Sequence, residues 1–301
     1  MNASELNKEF SLDGILEITE EHSGFPFIKI KNQYASAVIS LYGGQVLSYD
    51  QGEAEELLFL SDKAFYETGK AIKGGVPICW PWFGADPEGK GRPAHGFARN
   101  SLWQLDSTEQ MVDGSTKVVI SLLPVEDSKK LFPYKFKLTL TVVVGKKLEL
   151  DLATENLDEK SFDITQALHT YFVVKNINEV SVSGLDGCAY LDKAKSNMGE
   201  ENKTQNGDVS FSGEVDRIYL DVPNDLYVRQ KDTEKLTAIQ SVNNKMAVVW
   251  NPWRELCEQS ADLNSDDYTR FVCVETANAA ENVIKVKPGD AFSLRVIYSV
   301  D

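Results

Sequence analysis

FKLTLTVVVGKKLELDLATEN, residues 136–156, carries the clearest structural signal in the chain. Phe136, Leu138, Leu140, Val142 and Val144 stand at every second position, as do Leu148, Leu150 and Leu152 further on. A period of two puts alternate side chains on opposite faces of a pleated strand, one for a core and one for water. Val144-Gly145-Lys146-Lys147 between the two runs reads as a tight hairpin turn. Two adjacent antiparallel strands follow.

Similar short runs, alternating or β-branched, recur along the chain. They are FPFIKI (25–30), SAVISLY (36–42), KVVISLL (117–123), SFDITQALHTYFVV (161–174), RIYLDV (217–222), MAVVW (246–250), FVCVE (271–275) and FSLRVIYSV (292–300). Val112-Asp113-Gly114-Ser115 is a second hairpin signal. Helical periodicity is scarce: a short turn around Pro87–Gly91, another piece at Ser128–Phe132 and a third at Arg254–Gln259. Many strands without alternating long helices predict an all-β chain, a large antiparallel β-sandwich with a few short helices. No linker, composition break or internal repeat divides the sequence, so residues 1–301 read as a single domain. The polar run SNMGEENKTQNGD at 196–208 is expected to be an exposed loop.

Composition narrows the function. A chain of 301 residues, 42% hydrophobic and 26% charged, can bury a sizeable core without staples. Its four cysteines are scattered, with no CxxC pair, which suits reduced thiols in a cytoplasmic protein. No basic and apolar leader opens the sequence, and no run of about eighteen apolar residues occurs, so neither a signal peptide nor a membrane span is expected. A formal net charge of -15 argues against nucleic acid and anionic membrane as partners. A small anionic substrate is compatible with it, because salt screens charges beyond about 8 Å.

The passage GGVPICWPWFGADPEGKGRPAHGFARN, 74–100, is too broken for a helix and too apolar for a floppy loop. It contains His95, one of three histidines; Gly96 beside it allows a ligand or another backbone to come close. Arg99 offers a planar fork of donors suited to phosphate or carboxylate. Trp80, Trp82, Phe83 and Phe97 fit either a core or the wall of a sugar site. His169, in ALHTYFVV, is placed on a strand with Ala167 and Tyr171 on its face, as a core histidine or a rigidly held acid. Glu275 is placed at a strand end in FVCVETAN, as a salt-bridge partner or a base tuned by burial. His22, in EEHSG, reads as a solvated surface residue. No GxSxG, P-loop, GxGxxG or zinc-ligand spacing is present.

AIKGGVPICWPWFG, PAHGFARN, QALHTYF, GLDGCAYLDK, VVWNPW and FVCVETAN follow one another between Ala71 and Asn278. Together these six motifs resemble the aldose 1-epimerase superfamily, and within it the hexose-6-phosphate mutarotase (glucose-6-phosphate 1-epimerase) branch. The resemblance implies a galactose mutarotase-like β-sandwich that interconverts the α and β anomers of glucose 6-phosphate and related sugars. It makes His169 the general acid and Glu275 the general base. It gives substrate-binding roles to His95, Arg99, Lys73 and Asp192, with Trp80 and Phe97 as sugar-lining aromatics.

Lys73 stands where the family commonly has arginine, which keeps the charge and loses the fork. Ala94 stands where relatives commonly carry a polar residue. Ring opening moves protons without redox chemistry, so no metal or organic cofactor is expected, and the partner is a small sugar phosphate bound by a monomer. The acid and base are expected as imidazolium and carboxylate, facing each other across the width of a hexose ring. Mutarotation of unphosphorylated aldoses and non-catalytic sugar binding are the alternative functions the sequence allows.

Overall fold

The computed structural model describes residues 2–52, 56–194, 203–231, 233 and 235–300. Their strands pair only antiparallel within the sheets, and two large sheets dominate. The nine-stranded sheet contains the 136–156 hairpin, whose strands Phe136–Val144 and Leu148–Asn156 each alternate buried with half-buried residues throughout. Five residues of the first strand, from Phe136 to Val144, turn fully inward. Burying each such side chain contributes about 1.5–3 kcal/mol, which fixes the face and therefore the register. The turn at Val112–Ser115 likewise joins paired strands, Gln104–Gln110 and Thr116–Leu122.

The eight-stranded sheet is built differently. Its central strand, Phe271–Asn278, is buried at all eight positions. One face packs on the nine-stranded sheet: the hydroxyls of Thr276 and Ser241 meet at 2.9 Å, and those of Thr170 and Tyr298 at 2.5 Å. The other face is also covered, partly by the 74–100 passage, so alternation disappears from FVCVETAN. This is the antiparallel β-sandwich that the strand pattern predicts. A four-stranded antiparallel sheet, Leu16–Glu21 to Gln45–Asp50, precedes it.

Three α-helices are present among the described residues. Glu126–Leu131 and Trp253–Gln259 lie within a few residues of two expected pieces, while Pro87–Gly91 forms a turn and no helix. The third, Ala3–Phe10, was not anticipated. It starts at a reciprocal cap in which Asn2 and Glu5 each accept the other's backbone N–H, and it buries Leu6 and Phe10, one turn apart. No helix among the described residues is long and apolar enough to cross a membrane. Of the expected loop at 196–208, residues 196–202 lie outside the described residues, whereas Lys203–Thr204 forms an edge strand paired with Ala189–Asp192.

Two sequence readings change here. The run 161–174 is three short strands, Phe162–Ile164, Gln166–Leu168 and Tyr171–Val173, so His169 lies in a break and not within a strand. Glu275 sits in the middle of its strand, not at the end.

Candidate active site

The site follows from one register. Gln166–Leu168 and Tyr171–Val173 both pair with Phe271–Asn278, Leu168 opposite Thr276 and Tyr171 opposite Cys273. The register is the same on either side of the two-residue break, so His169 falls directly opposite Glu275. Directly opposed residues bring their Cβ atoms to about 4.5–5.5 Å. Accordingly His169 Nε2 lies 3.3 Å from Glu275 Oε1. The His169 amide turns the other way, donating to the Pro77 carbonyl at 3.0 Å.

The same ladder lays out the floor. Glu275 is opposite Val248, Val248 opposite Ile218, and Ile218 opposite Leu191. The next row pairs Cys273 with Trp250 and Trp250 with Asp216. All of these except Cys273 border a cavity of about 650 Å³ on the face turned away from the second sheet, together with His95, Phe83 and Tyr171. Lys73 and Arg99 border it too, and they also line an adjoining pocket of about 300 Å³ with Lys70 and Asp262. The volumes suit a small polar ligand with an anionic end.

His95 enters from the 74–100 passage on a tight turn. Its own φ is +61° and that of Gly96 is +71°. A Cβ on Gly96 would stand 2.0 Å from the Trp80 carbonyl oxygen, so another backbone, not a ligand, explains this glycine. The carbonyl instead accepts the Phe97 amide at 3.0 Å. His95 Nδ1 accepts the Gly84 N–H at 3.4 Å, which leaves its other ring nitrogen as the donor of the neutral imidazole. Phe83 meets the His95 ring edge-on at 4.9 Å.

Burial dominates the electrostatics. It pushes the Glu275 carboxyl well up, with Asp216 adding to the effect and Arg99 opposing it. It pushes His169 well down, helped by His95, Arg99 and Lys73. The free site therefore favours the neutral pair over the expected imidazolium and carboxylate. Both forms carry the same number of protons and differ by one proton moved along the 3.3 Å contact. His95 is lowered to about 3 by burial, then by Arg99 and Lys73, and is neutral near pH 7. Asp216 is raised to about 6 by burial, then by Glu214 and Asp192. His169 Nδ1, Glu275 Oε2 and Arg99 Nε are buried without a hydrogen-bond partner among the described residues. Such groups cost free energy unless something binds them.

Of the residues singled out in the sequence, His169, Glu275, His95, Arg99 and Lys73 come together here. Asp192, Trp80 and Phe97 do not border the cavity. Leu191 and Lys193 point into it, so strand alternation turns Asp192 the other way, where Lys203 lies 3.3 Å from its carboxylate. Trp80 is fully buried, donates its indole N–H to Thr154 at 3.0 Å, and packs edge-on against Phe97. Both aromatics fasten the passage to the nine-stranded sheet. His22 is exposed, stacked on Tyr66 outside the cavity.

The sequence reading missed Asp216, Lys193, Tyr171 and Trp250 as site residues. Asp216 had a usable signal: it heads the face that continues with Ile218 and Leu220, where a carboxylate is out of place.

The sequence profile of the aldose 1-epimerase family matches residues 26–299. The chain belongs to the aldose 1-epimerase family. It is thus an isomerase of the epimerase type, and its sandwich is of the galactose mutarotase-like kind that the six motifs implied. A relative from Cenchrus ciliaris is 36% identical over 293 residues, covering 94% of this chain and 87% of that one. One from Escherichia coli K12 is 39% identical over 272 residues, covering 89% and 90%. Both carry the provisional name glucose-6-phosphate 1-epimerase. The crystal structure of YeaD from Salmonella typhimurium, provisionally titled a mutarotase, superposes with a TM-score of 0.89. It is 30% identical and covers 97% of this epimerase-family chain and 95% of its own.

Proposed function

We propose that the chain is a hexose-6-phosphate mutarotase that opens and recloses the pyranose of glucose 6-phosphate and related aldohexose 6-phosphates. The observation that carries this reading is the His169–Glu275 contact on the floor of a hexose-sized cavity that continues into a cationic pocket. The anomeric hydroxyl and the ring oxygen are bonded to the same carbon. An acid and a base serving them stand side by side, as these two do, and not a ring's width apart as the sequence reading supposed.

Opening starts from the form with the proton on His169. Glu275 takes the hydroxyl proton as that oxygen becomes the aldehyde carbonyl. The bond from the anomeric carbon to the ring oxygen breaks, its electron pair goes to the ring oxygen, and His169 protonates it. Rotation about the bond to the anomeric carbon exposes its other face, and the reverse steps close the ring on the other anomer. Each proton transfer contributes typically about 10²–10⁴ in rate. Neutral His95 donates to a sugar oxygen, and Asp216 accepts from a hydroxyl on the opposite wall.

The phosphate belongs in the adjoining pocket. Lys73 already lies 3.4 Å from Asp262, while Arg99 spends one terminal nitrogen on the Ala94 carbonyl at 2.9 Å and its Nε has no partner among the described residues. The backbone of Ala94 thereby orients the guanidinium where relatives commonly offer a side chain. The names of the relatives agree with a phosphorylated substrate.

The test is anomer exchange followed by NMR for glucose 6-phosphate and for glucose. The enzyme should accelerate exchange of the phosphate, and Arg99→Ala should raise its KM about 10- to 100-fold, the worth of a charge-assisted hydrogen bond of about 1.5–3 kcal/mol. Equal effects on both sugars, or no acceleration over buffer, would overturn the proposal.

A further inference from the structure

Tyr171 is common to both cavities. Its ring lies flat against the His169 imidazole, with centroids 4.9 Å apart and planes 9° from parallel. Trp250 meets both rings edge-on, at 5.9 Å from His169 and 6.0 Å from Tyr171. Phe271 backs Tyr171 at 5.2 Å. The Tyr171 backbone is pinned at both ends, its amide donating to Gly75 and its carbonyl accepting from Phe59, each at 2.9 Å.

A catalytic histidine is ordinarily oriented by a hydrogen bond to its second ring nitrogen. Here that nitrogen, Nδ1, has no partner among the described residues. The flat stack and the Trp250 edge are left to set the ring angle. Beyond the ring, the phenol hydroxyl makes no side-chain hydrogen bond among the described residues, and Tyr171 borders the adjoining pocket alongside Arg99 and Asp262. Tyr171 thus reaches from the acid to the pocket that holds Lys70, Lys73 and Arg99.

We infer that Tyr171 is a positioning residue with two separable parts: its face holds the His169 imidazole against Glu275, and its hydroxyl binds the anionic group of the substrate. The inference rests on the mutarotase reading above. Its consequence is that anion binding and acid placement run through one side chain. The electron-rich face also favours the imidazolium that protonates the ring oxygen.

Two substitutions divide the parts. Tyr171→Phe keeps the face and removes the hydroxyl; it should raise KM for glucose 6-phosphate about tenfold and hold kcat within about twofold. Tyr171→Leu removes the face as well; it should lower kcat about tenfold and shift the pH profile of kcat, neither of which loss of the hydroxyl alone would do. Tyr171→Met, with similar bulk and no flat face, replaces Leu if that variant does not fold. Wild type run alongside separates the two claims. Failure of wild type to accelerate exchange rejects the mutarotase reading itself. An active wild type with undiminished kcat in the Leu or Met variant, or with equal kcat losses in Phe and Leu, rejects the role of Tyr171.

Discussion

Glu275→Gln should slow the enzyme and stabilise it at the same time. The side chain is buried at the centre of a fully covered strand, and that burial pushes its carboxyl well up. Gln preserves shape, abolishes the proton acceptor, and no longer asks a charge to reside there. Loss of one proton-transfer role lowers kcat by about 10²–10⁴. Removing an ionisable group that burial disfavours is worth about 1–3 kcal/mol, the desolvation penalty of a buried polar group.

At about 2.1 cal/mol/K per residue, 301 residues give an unfolding entropy near 0.63 kcal/mol/K, so Tm should rise by about 2–5 °C. The pH dependence has a definite sign. Burial raises the folded pKa of Glu275 above its unfolded value, so its contribution to stability is complete below about pH 4.3 and is lost as pH rises through the folded value. The gain in Tm should therefore vanish near pH 4 and be fully present once pH exceeds the folded value. Calorimetry across pH, paired with NMR exchange rates, measures both quantities. A kcat within tenfold of wild type would remove Glu275 as the base; a Tm lowered at pH 8 would show that the carboxylate is stabilising and that the burial argument is wrong.

Asp216→Asn should weaken substrate binding and abolish an acid limb near pH 6 in kcat/KM, since Asp216 is raised to about 6 by burial. Its stability contribution is present below about pH 3.9 and lost as pH rises through 6, so the variant should gain stability over wild type across that window; an unchanged acid limb refutes the role. Gly96→Ala puts a methyl 2.0 Å from the Trp80 carbonyl oxygen at a φ of +71°. The left-handed backbone alone costs about 1–2 kcal/mol, so Tm should fall by at least about 2–3 °C, with kcat falling as His95 moves; an unaltered melting curve contradicts the packing described.

Local pattern revealed the sheets and part of the site. The 136–156 hairpin, with its turn, was legible because one face is wet and one is dry, which writes a period of two into the residues. The strand of Glu275 lost that signature by being covered on both sides, so its middle was taken for its end. The capping pair Asn2 and Glu5, with Leu6 and Phe10 a turn apart, was there to be read as a helix start and went unused.

Residue chemistry and the motif resemblance pointed to His169, Glu275, His95, Arg99 and Lys73. What they could not supply is pairing between segments distant in the chain, and that pairing decides which aspartate faces the ligand. Asp192 and Asp216 lie on adjacent paired strands, and only strand facing separates them. Trp80 and Phe97 misled for a similar reason: large aromatics serve a core and a sugar wall equally well until their neighbours are known. The charge state of the His169–Glu275 pair depends on the depth of burial, a property of the whole fold.

The ladder that sets His169 opposite Glu275 also ties chemistry to correct assembly. If the His169 segment slipped by one residue along its partner strand, Val274 or Thr276 would take the place across from the imidazole, on the wrong face of the sheet. A chain misassembled in this way could keep its bulk strand content and still be inert. On the roles proposed for His169 and Glu275, recovered turnover after refolding counts only molecules with this ladder in register, a more discriminating gauge of native assembly than circular dichroism.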